Sequence, residues 1–180
     1  MTILVLGESE ARMRIRSSRL SIAALAVAWI AARPAAAQLL QRHEVPKDLR
    51  QALADKAFAI CAARGFDVGV AVADSAGTVR TLVAGDKVSA ISIETASRKA
   101  RSAAFVGFPT SILKKADSEA PAYTALLREQ RPDMLMLAGA VPIKLGDELL
   151  GALGVSGASN GEADEACAND AVVALTSRLR

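Results

Sequence analysis

The hydrophobic positions near residue 50 follow helical spacing. Leu49, Leu53 and Ala57 recur every four residues, Ile60 and Cys61 continue the stripe, and Gly65 follows it. This predicts a helix from Pro46 to Gly65 that buries one face. Over residues 67–85 the apolar positions instead alternate with small or polar ones on either side of a DSAG tetrapeptide, which predicts a β-hairpin.

Three further helices are predicted in the middle of the chain. The first covers residues 89–105, with alanines along one face. A break at Gly107 and Pro109 precedes a short helix over 109–117, which the hydroxyl of Thr110 or Ser111 can cap. A third helix over 119–130 ends at Arg131 and Pro132.

In the last third of the chain, the pattern of apolar runs and turns predicts a meander of strands followed by a helix. The strands are residues 134–137, 141–145 and 148–157, and the helix covers 158–179, with acidic residues at its start and arginines at its end. Glycines at 151, 154 and 157 predict a strand pressed against another backbone or a ligand. The element order predicts an α+β fold, a five-stranded antiparallel sheet flanked by helices.

The N-terminal segment is typical of an export signal. Residues 13–37 have a basic start with Arg14, Arg16 and Arg19, then an apolar run from Leu20 to Ala32 and small residues at Ala35 and Ala37. We therefore expect a signal peptide over residues 1–37 with Met13 as the true start, a flexible lead over 38–46 and a domain over 47–180. An apolar run of 13 residues is short for a membrane helix, which needs about 20, so an uncleaved anchor is the lesser alternative and stable membrane insertion is not expected. The expected location is periplasmic or secreted.

The composition changes once this signal is set aside. The whole chain has 180 residues, 52% of them hydrophobic, and a net charge of +3, which excludes an intrinsically disordered protein. Removal of residues 1–37 takes away five basic residues, two acidic residues and the one tryptophan. The remainder has 17 basic and 17 acidic residues and is formally neutral. Binding of nucleic acid needs a basic surface, and this neutral remainder excludes it from the expected partners.

Histidine and cysteine limit the chemistry. His43 is the one histidine, so a metal cluster of several histidines cannot form within one chain. Cys61 and Cys167 stand 106 positions apart on the first and last predicted helices. In an exported chain they suggest a disulfide, with two buried free thiols as the alternative.

Two other groups permit ligand binding. Arg98, Lys99 and Arg101 form either a solvated helix face or, beside Phe105, a cationic and apolar pocket for a flat anionic ligand. Met134 and Met136 are expected in the core, with a thioether ligand to iron as the lesser alternative. Neither a carboxylate pair nor a nucleophile with its base stands out.

Four segments together resemble the GlcG/HbpS-like haem-binding family, which is related to the C-terminal domain of PduO-type proteins. They are DVGVAVADSAG at 67–77, SRKARSAAF at 97–105 with PTS at 109–111, GAVPI at 139–143, and GALGVSGASNGEADEACA at 151–168. The chain departs from the family pattern at Arg101, which replaces an aromatic residue, and at Ala140, which replaces a glycine.

The resemblance implies a profilin-like or PAS-like fold, a homo-oligomer, haem or iron as ligand and, in some relatives, a sensor protein as partner. It also favours the Cys61–Cys167 disulfide. On this basis we assign Lys99 and Arg98 to the haem propionates, Phe105 to the ring and His43 to the iron as axial ligand.

The sequence therefore predicts an exported protein that binds a small ligand, haem or a related tetrapyrrole, as carrier, buffer or sensory accessory. Two alternatives remain at this stage. One is an accessory protein or enzyme that acts on a small metabolite, as in glycolate utilisation, with the GVSG strand at its site. The other is a structural oligomer without a ligand.

Overall fold

The computed structural model describes residues 43–179, and the signal peptide predicted over 1–37 lies outside them. The elements are α1 (Lys47–Ala63), β1 (Gly69–Asp74), β2 (Val79–Ala84), α2 (Ala90–Val106), α3 (Thr110–Glu119), α4 (Pro121–Gln130), β3 (Ala140–Leu145), β4 (Glu148–Ser156) and α5 (Gly161–Leu175). A 3-10 helix over Thr176–Leu179 follows α5.

The strands form one antiparallel sheet in the order β2-β1-β4-β3. Its centre is the β1–β4 pair, in which Val70 stands opposite Val155 and Ala71 opposite Gly154. Because side chains alternate along a strand, this register sends large residues to one face of the sheet and small ones to the other.

The face with the larger side chains packs against α1 and α5. Val70, Val72, Leu153 and Val155 belong to one buried cluster with residues of both helices. The disulfide between Cys61 and Cys167 joins α1 to α5 within this layer, with 5.6 Å between the two Cα atoms. The pairing expected from the family resemblance is therefore present in the structure.

The opposite face is made almost entirely of alanine and packs against α2. A Cβ on Gly154 would collide with the carbonyl oxygen of Ala96 and stand 2.7 Å from the backbone nitrogen of Ala100. The three glycines thus mark close contact with another backbone, one of the two explanations that the sequence allowed: α2 at Gly154, and β1 or the residues just before it at Gly151 and Gly157.

The prediction of five strands is wrong, because four are found between residues 43 and 179. Residues 134–137 are extended and bury Met134 and Met136 alternately, as a strand would. However, the N–H of Leu135 donates to Ser102 Oγ at 2.9 Å, and the N–H of Met134 donates to the carbonyl of Arg131 at 3.0 Å. The backbone of this segment is held by a helix side chain and a turn, so it joins no strand.

Of the lead predicted over 38–46, the structure describes residues 43–46, of which Val45 is buried while the other three are exposed. Val45 is 2% exposed and belongs to the core, and its carbonyl accepts a hydrogen bond from Arg50. Among the described residues, the core therefore includes a residue that precedes α1. In the part of the chain that the structure describes, no helix has the length and apolar character needed to cross a bilayer.

Candidate functional site

Three carboxylates on the first turn of α5 each bind a different part of the protein. Glu162 binds Lys114 on α3, Asp164 binds Lys99 on α2, and Glu165 binds the N-terminal end of α3. Asn160 begins the helix by accepting a hydrogen bond from the N–H of Ala163 at 2.8 Å. One helical turn thus fixes the arrangement of α2, α3 and α5.

The central contact is a buried ion pair. Lys99 Nζ lies 2.8 Å from Asp164 Oδ2, and both side chains are at most 5% exposed. The ammonium also donates to the carbonyl of Val155 at 3.2 Å, and Asp164 Oδ1 accepts from the N–H of Ala158 at 2.9 Å. Buried charges need such partners because neither keeps its hydration shell.

Gly139 makes room for this pair. A Cβ at position 139 would stand 2.5 Å from Lys99 Nζ and 2.9 Å from the carbonyl oxygen of Val155, and the φ of 134° also favours glycine. The lysine therefore reaches α5 through a gap that only glycine leaves open.

Glu165 caps α3 from outside that helix. Its carboxylate accepts hydrogen bonds from the N–H of Ser111 at 2.8 Å, from Ser111 Oγ at 2.6 Å and from the N–H of Gly139 at 3.2 Å. Thr110 Oγ1 lies 3.3 Å from the same carboxylate and accepts from the N–H of Ala140 at 3.0 Å. The expectation that Thr110 or Ser111 caps α3 is wrong, because α3 has no capping bond from its own N-cap side chain and the remote carboxylate supplies it.

A groove lies between α3 and α5, beside this network. It has a volume of about 460 Å³, within the usual range of ligand sites. The lining side chains come from α3, α5 and the extended segment before β3: Ser111, Lys114, Lys115, Asp117, Ser118, Met136 and Glu162. A second hollow of about 380 Å³ shares Ser111 and Glu162 with it and continues past Pro109 to Val141 and Asn169.

The charges in the groove are arranged in pairs. Lys114 Nζ lies 2.5 Å from Glu162 Oε1, and this hydrogen bond is the main reason that the pKa of Glu162 is lowered. The pKa of Asp117 is also lowered, chiefly by the hydroxyl of Thr124 and then by Arg128. Both carboxylates therefore stay ionised at neutral pH, and Lys114 is held near Glu162 while Lys115 lies 3.7 Å from Glu119.

The floor of the groove includes one buried sulfur. Met136 is 6% exposed and packs in a cluster with Leu113 and Met134, which Phe105, Val106, Phe108 and Leu127 extend. Met134 belongs to the same cluster but does not line the groove. The groove is therefore lined mainly by polar and charged side chains, with Met136 as the one apolar residue of the lining.

The structure does not bring the four residues assigned to haem into one site. Lys99 is buried in its ion pair. Arg98 Nε donates to the carbonyl of Asp133 at 2.9 Å, and the Arg131 guanidinium lies 4.2 Å from the centre of the Phe105 ring. The roles of these four residues toward haem stay predictions. None of the four lines the groove.

His43 lies far from the groove along the chain, against the β3–β4 hairpin. Its side chain is 63% exposed, and Nδ1 is 2.9 Å from Glu148 Oε2. The hydrogen bond from His43 is the main cause that lowers the pKa of Glu148. This is a surface contact that ties the lead to the hairpin.

Sequence reasoning missed Asp164, Glu165 and Lys114. The acidic residues at the start of α5 were interpreted only as a match to the helix dipole. A signal was present, since three carboxylates within four residues, Glu162 to Glu165, exceed what a helix terminus needs. Their partners are 48, 54 and 65 positions away along the chain, and such distances are not visible in a local pattern.

A comparison with models of protein families identifies the family of this chain. A family model described as haem degrading protein HbpS-like matches residues 46–173. The chain belongs to the HbpS-like family. The resemblance noted in the sequence is confirmed.

Solved structures of HbpS are similar to the chain over most of its length. A double mutant of HbpS from Streptomyces reticuli shares 31% identity and a TM-score of 0.71, over 81% of this chain and 94% of that one. Another HbpS structure shares 32% identity, also with a TM-score of 0.71, over 81% of this chain and 98% of that one. A haem complex of PduOC, at 23% identity and a TM-score of 0.67, covers 73% of this chain and 94% of its own and shares the fold. No curated protein matches the chain significantly.

Proposed function

We propose that this protein binds haem in the groove between α3 and α5. The observation that carries the proposal is membership of a family described as HbpS-like haem-degrading proteins, together with a ligand-sized groove in the matched region. The haem complex of PduOC, a protein of the same fold, is consistent with it. A bound haem would supply redox-active iron.

The lining residues fit the propionate edge of haem. Lys114 and Lys115 are at least half exposed at the rim, where an ammonium group can pair with a propionate carboxylate. Met136 is the one apolar residue in the lining and is only 6% exposed, so the groove offers the porphyrin ring little apolar surface. The groove is open to solvent on one side, so within one chain it would hold the haem along an edge rather than enclose it.

Titration with hemin tests this proposal. We expect a saturable shift of the Soret band for the wild-type protein and binding weakened about tenfold for a Lys114→Met, Lys115→Met double variant, more strongly at low salt. The matched control is Arg98→Met, Arg101→Met on α2, which removes two cations away from the groove. Equal weakening by both double variants would contradict the location, and no saturable shift would overturn haem binding itself.

The family description also favours a second function, haem degradation. The same titrated complex separates the two, because a carrier or buffer keeps its Soret band when ascorbate and oxygen are added. A degrading enzyme loses that band and releases iron, which a ferrous chelator detects. Hydrogen peroxide formed in solution can bleach haem without the protein, so the measurement includes catalase and free hemin as controls.

Export to the periplasm or the exterior remains part of the proposal. It is supported by the signal pattern over residues 1–37 and by a disulfide of a kind that cytosolic proteins rarely keep. The expected result is a mature protein that begins at Gln38 and is recovered outside the cytoplasm. N-terminal sequencing that finds the precursor residues on the functional protein would contradict it.

Assembly into a homo-oligomer is proposed for the same protein. On α4 only Thr124 is buried, while Tyr123 and Leu126 are 56% and 50% exposed. Ile112 on α3 is 48% exposed as well. Light scattering on Tyr123→Ser, Leu126→Ser protein is expected to give a smaller mass than wild type. A sensor protein as partner remains a further proposal, tested by whether haem-loaded protein alters the activity of an exported sensor domain.

A further inference from the structure

We propose that Asn160 is a modification site, at which the side-chain amide is lost after attack by the backbone nitrogen of Gly161. The chain contains two asparagines, and Asn160 is the one followed by glycine. It begins α5, the helix whose first-turn carboxylates hold α2 and α3 in place. The inference does not depend on the binding of haem.

The reaction needs no reagent other than water. The nitrogen of Gly161 loses its proton and bonds to Cγ of Asn160, the Cγ–Nδ2 bond breaks, and Nδ2 takes up one proton and leaves as ammonia. Water then opens the resulting succinimide ring at either of its two carbonyl groups. Opening at Cγ gives aspartate, whereas opening at the backbone carbonyl gives isoaspartate, in which the main chain continues through the former side chain.

The attacking nitrogen of Gly161 is not held by another contact. Among residues 43–179 its N–H donates no hydrogen bond, because the first N–H groups of a helix have no acceptor within the helix. The positive end of the helix dipole also lies here and favours the negative charge that this nitrogen carries once its proton is lost. The backbone of α5 therefore supplies a free nucleophile next to the asparagine.

Packing requires glycine at position 161. A Cβ there would stand 2.6 Å from the carbonyl oxygen of Ala138, so any other residue would displace the start of α5. Glycine is also the residue that lets the nitrogen approach Cγ most easily, since no side chain stands beside that nitrogen. The contact that sets the position of α5 thus also keeps the reactive Asn-Gly pair in the chain.

Asn160 is exposed, but its side chain serves as the cap of α5. Oδ1 accepts a hydrogen bond from the N–H of Ala163 at 2.8 Å, and this bond must open before Cγ can reach the nitrogen of Gly161. Local opening at the exposed end of a helix costs less free energy than opening of the core. Folding therefore slows the reaction at Asn160 without closing the site to water.

The two products differ in their effect on α5. Aspartate keeps an oxygen for the N–H of Ala163, and aspartate and asparagine are about equally good caps. Isoaspartate adds a methylene group to the main chain and moves the acceptor away from that N–H. We therefore expect isoaspartate to displace the first turn of α5, with Asp164 and Glu165, and to lower the urea midpoint.

The experiment incubates the folded wild-type protein at mildly alkaline pH and uses Asn169 as an internal control. Asn169 is exposed on the same helix but is followed by Asp170. A protease that cuts after glutamate, used at mildly acidic pH where the reaction is slow, separates the two asparagines because Glu162 and Glu165 lie between them.

We expect Asn160 to convert at least about tenfold faster than Asn169, a difference of about 1.4 kcal/mol in activation free energy. Chromatography of the peptides against synthetic standards should find both aspartate and isoaspartate. Conversion no faster than at Asn169 would overturn the proposal. Aspartate alone would also overturn it, because direct hydrolysis of the amide does not involve the nitrogen of Gly161.

Two variants complete the test. Asn160→Ser keeps a capping oxygen but has no amide to lose, so it should stay a single species on ion exchange under the same incubation; the same acidic species in this variant would place the modification elsewhere. Asn160→Asp should keep the wild-type urea midpoint, whereas the isolated isoaspartyl protein should unfold at lower urea. An isoaspartyl protein as stable as wild type would overturn the expected effect on α5.

Discussion

Lys99 on α2 and Asp164 on α5 form an ion pair from which water is almost fully excluded, with 2.8 Å between Nζ and Oδ2. Each group also keeps one backbone hydrogen bond, to the carbonyl of Val155 and from the N–H of Ala158. The pair links the alanine-lined side of the sheet to the helix that lines the groove. Its role is therefore to position the first turn of α5.

Removal of one partner is expected to be costly. Lys99→Met leaves an uncompensated carboxylate, and loss of one member of a buried pair usually lowers the free energy of unfolding by about 3–5 kcal/mol. The double variant Lys99→Met, Asp164→Leu should recover most of that loss, because no buried charge remains. Urea denaturation of both variants checks this, and a Lys99→Met protein as stable as wild type would contradict the importance of the pair.

The disulfide gives a second prediction. Cys61 and Cys167 are fully buried and close a loop across 106 positions, and loss of such a bridge typically costs about 2–5 kcal/mol. Dithiothreitol should lower the urea midpoint of the wild-type protein but not that of Cys61→Ala, Cys167→Ala. Two reactive thiols in denatured, unreduced protein would show that the bridge does not form.

The lowered pKa of Asp74 leads us to expect that the protein loses stability at acidic pH. Burial raises the pKa of its carboxyl, but the N–H of Thr78, the guanidinium of Arg80 and the N–H of Ala76 outweigh burial and hold the pKa below its usual 3.8. A group with a lowered folded pKa stabilises the protein above the unfolded pKa and loses that effect as the pH falls through the folded one. The contribution is thus complete at neutral pH and declines below about pH 4.

The variant Asp74→Asn separates this contribution from general acid denaturation. It should unfold more easily at pH 7, by about 1.5–3 kcal/mol if the charged hydrogen bonds behave normally, and its stability should fall less between pH 5 and pH 3. Asp117→Asn is a useful comparison because that carboxyl also has a lowered pKa but is more exposed. Parallel acid profiles for wild type and Asp74→Asn would refute the assignment.

Local patterns predicted the helices and the hairpin well because each is determined by residues close in sequence. The alternation of Met134 and Met136 correctly indicated an extended segment with one buried side, yet it could not indicate whether a neighbouring strand exists. Gly154 likewise indicated close backbone contact but left its partner open. The contacts of Asp164 and Glu165 depend on which helices meet at one end of the sheet, and this is a property of the tertiary arrangement.

The contact between Glu165 and Ser111 gives the last prediction. Glu165→Ala leaves the N–H groups of Ser111 and Gly139 and the Ser111 hydroxyl without their acceptor, which should cost about 1–3 kcal/mol per group left buried and unsatisfied, less where water replaces the carboxylate. Glu165→Gln keeps one acceptor oxygen and should lose less. Glu119→Ala is the control, since that carboxylate is 64% exposed and 3.7 Å from Lys115, a geometry that contributes little.

Because Glu165 joins α5 to the start of α3, the same substitution should also affect the groove. We expect Glu165→Ala to weaken hemin binding at a temperature where the protein remains folded, because Ser111 and Lys114 would lose their fixed distance from Glu162. Circular dichroism establishes folding and Soret titration measures affinity on the same samples. Unaltered hemin affinity in a folded but destabilised Glu165→Ala protein would mean that Glu165 contributes to the stability of the fold and not to the shape of the groove.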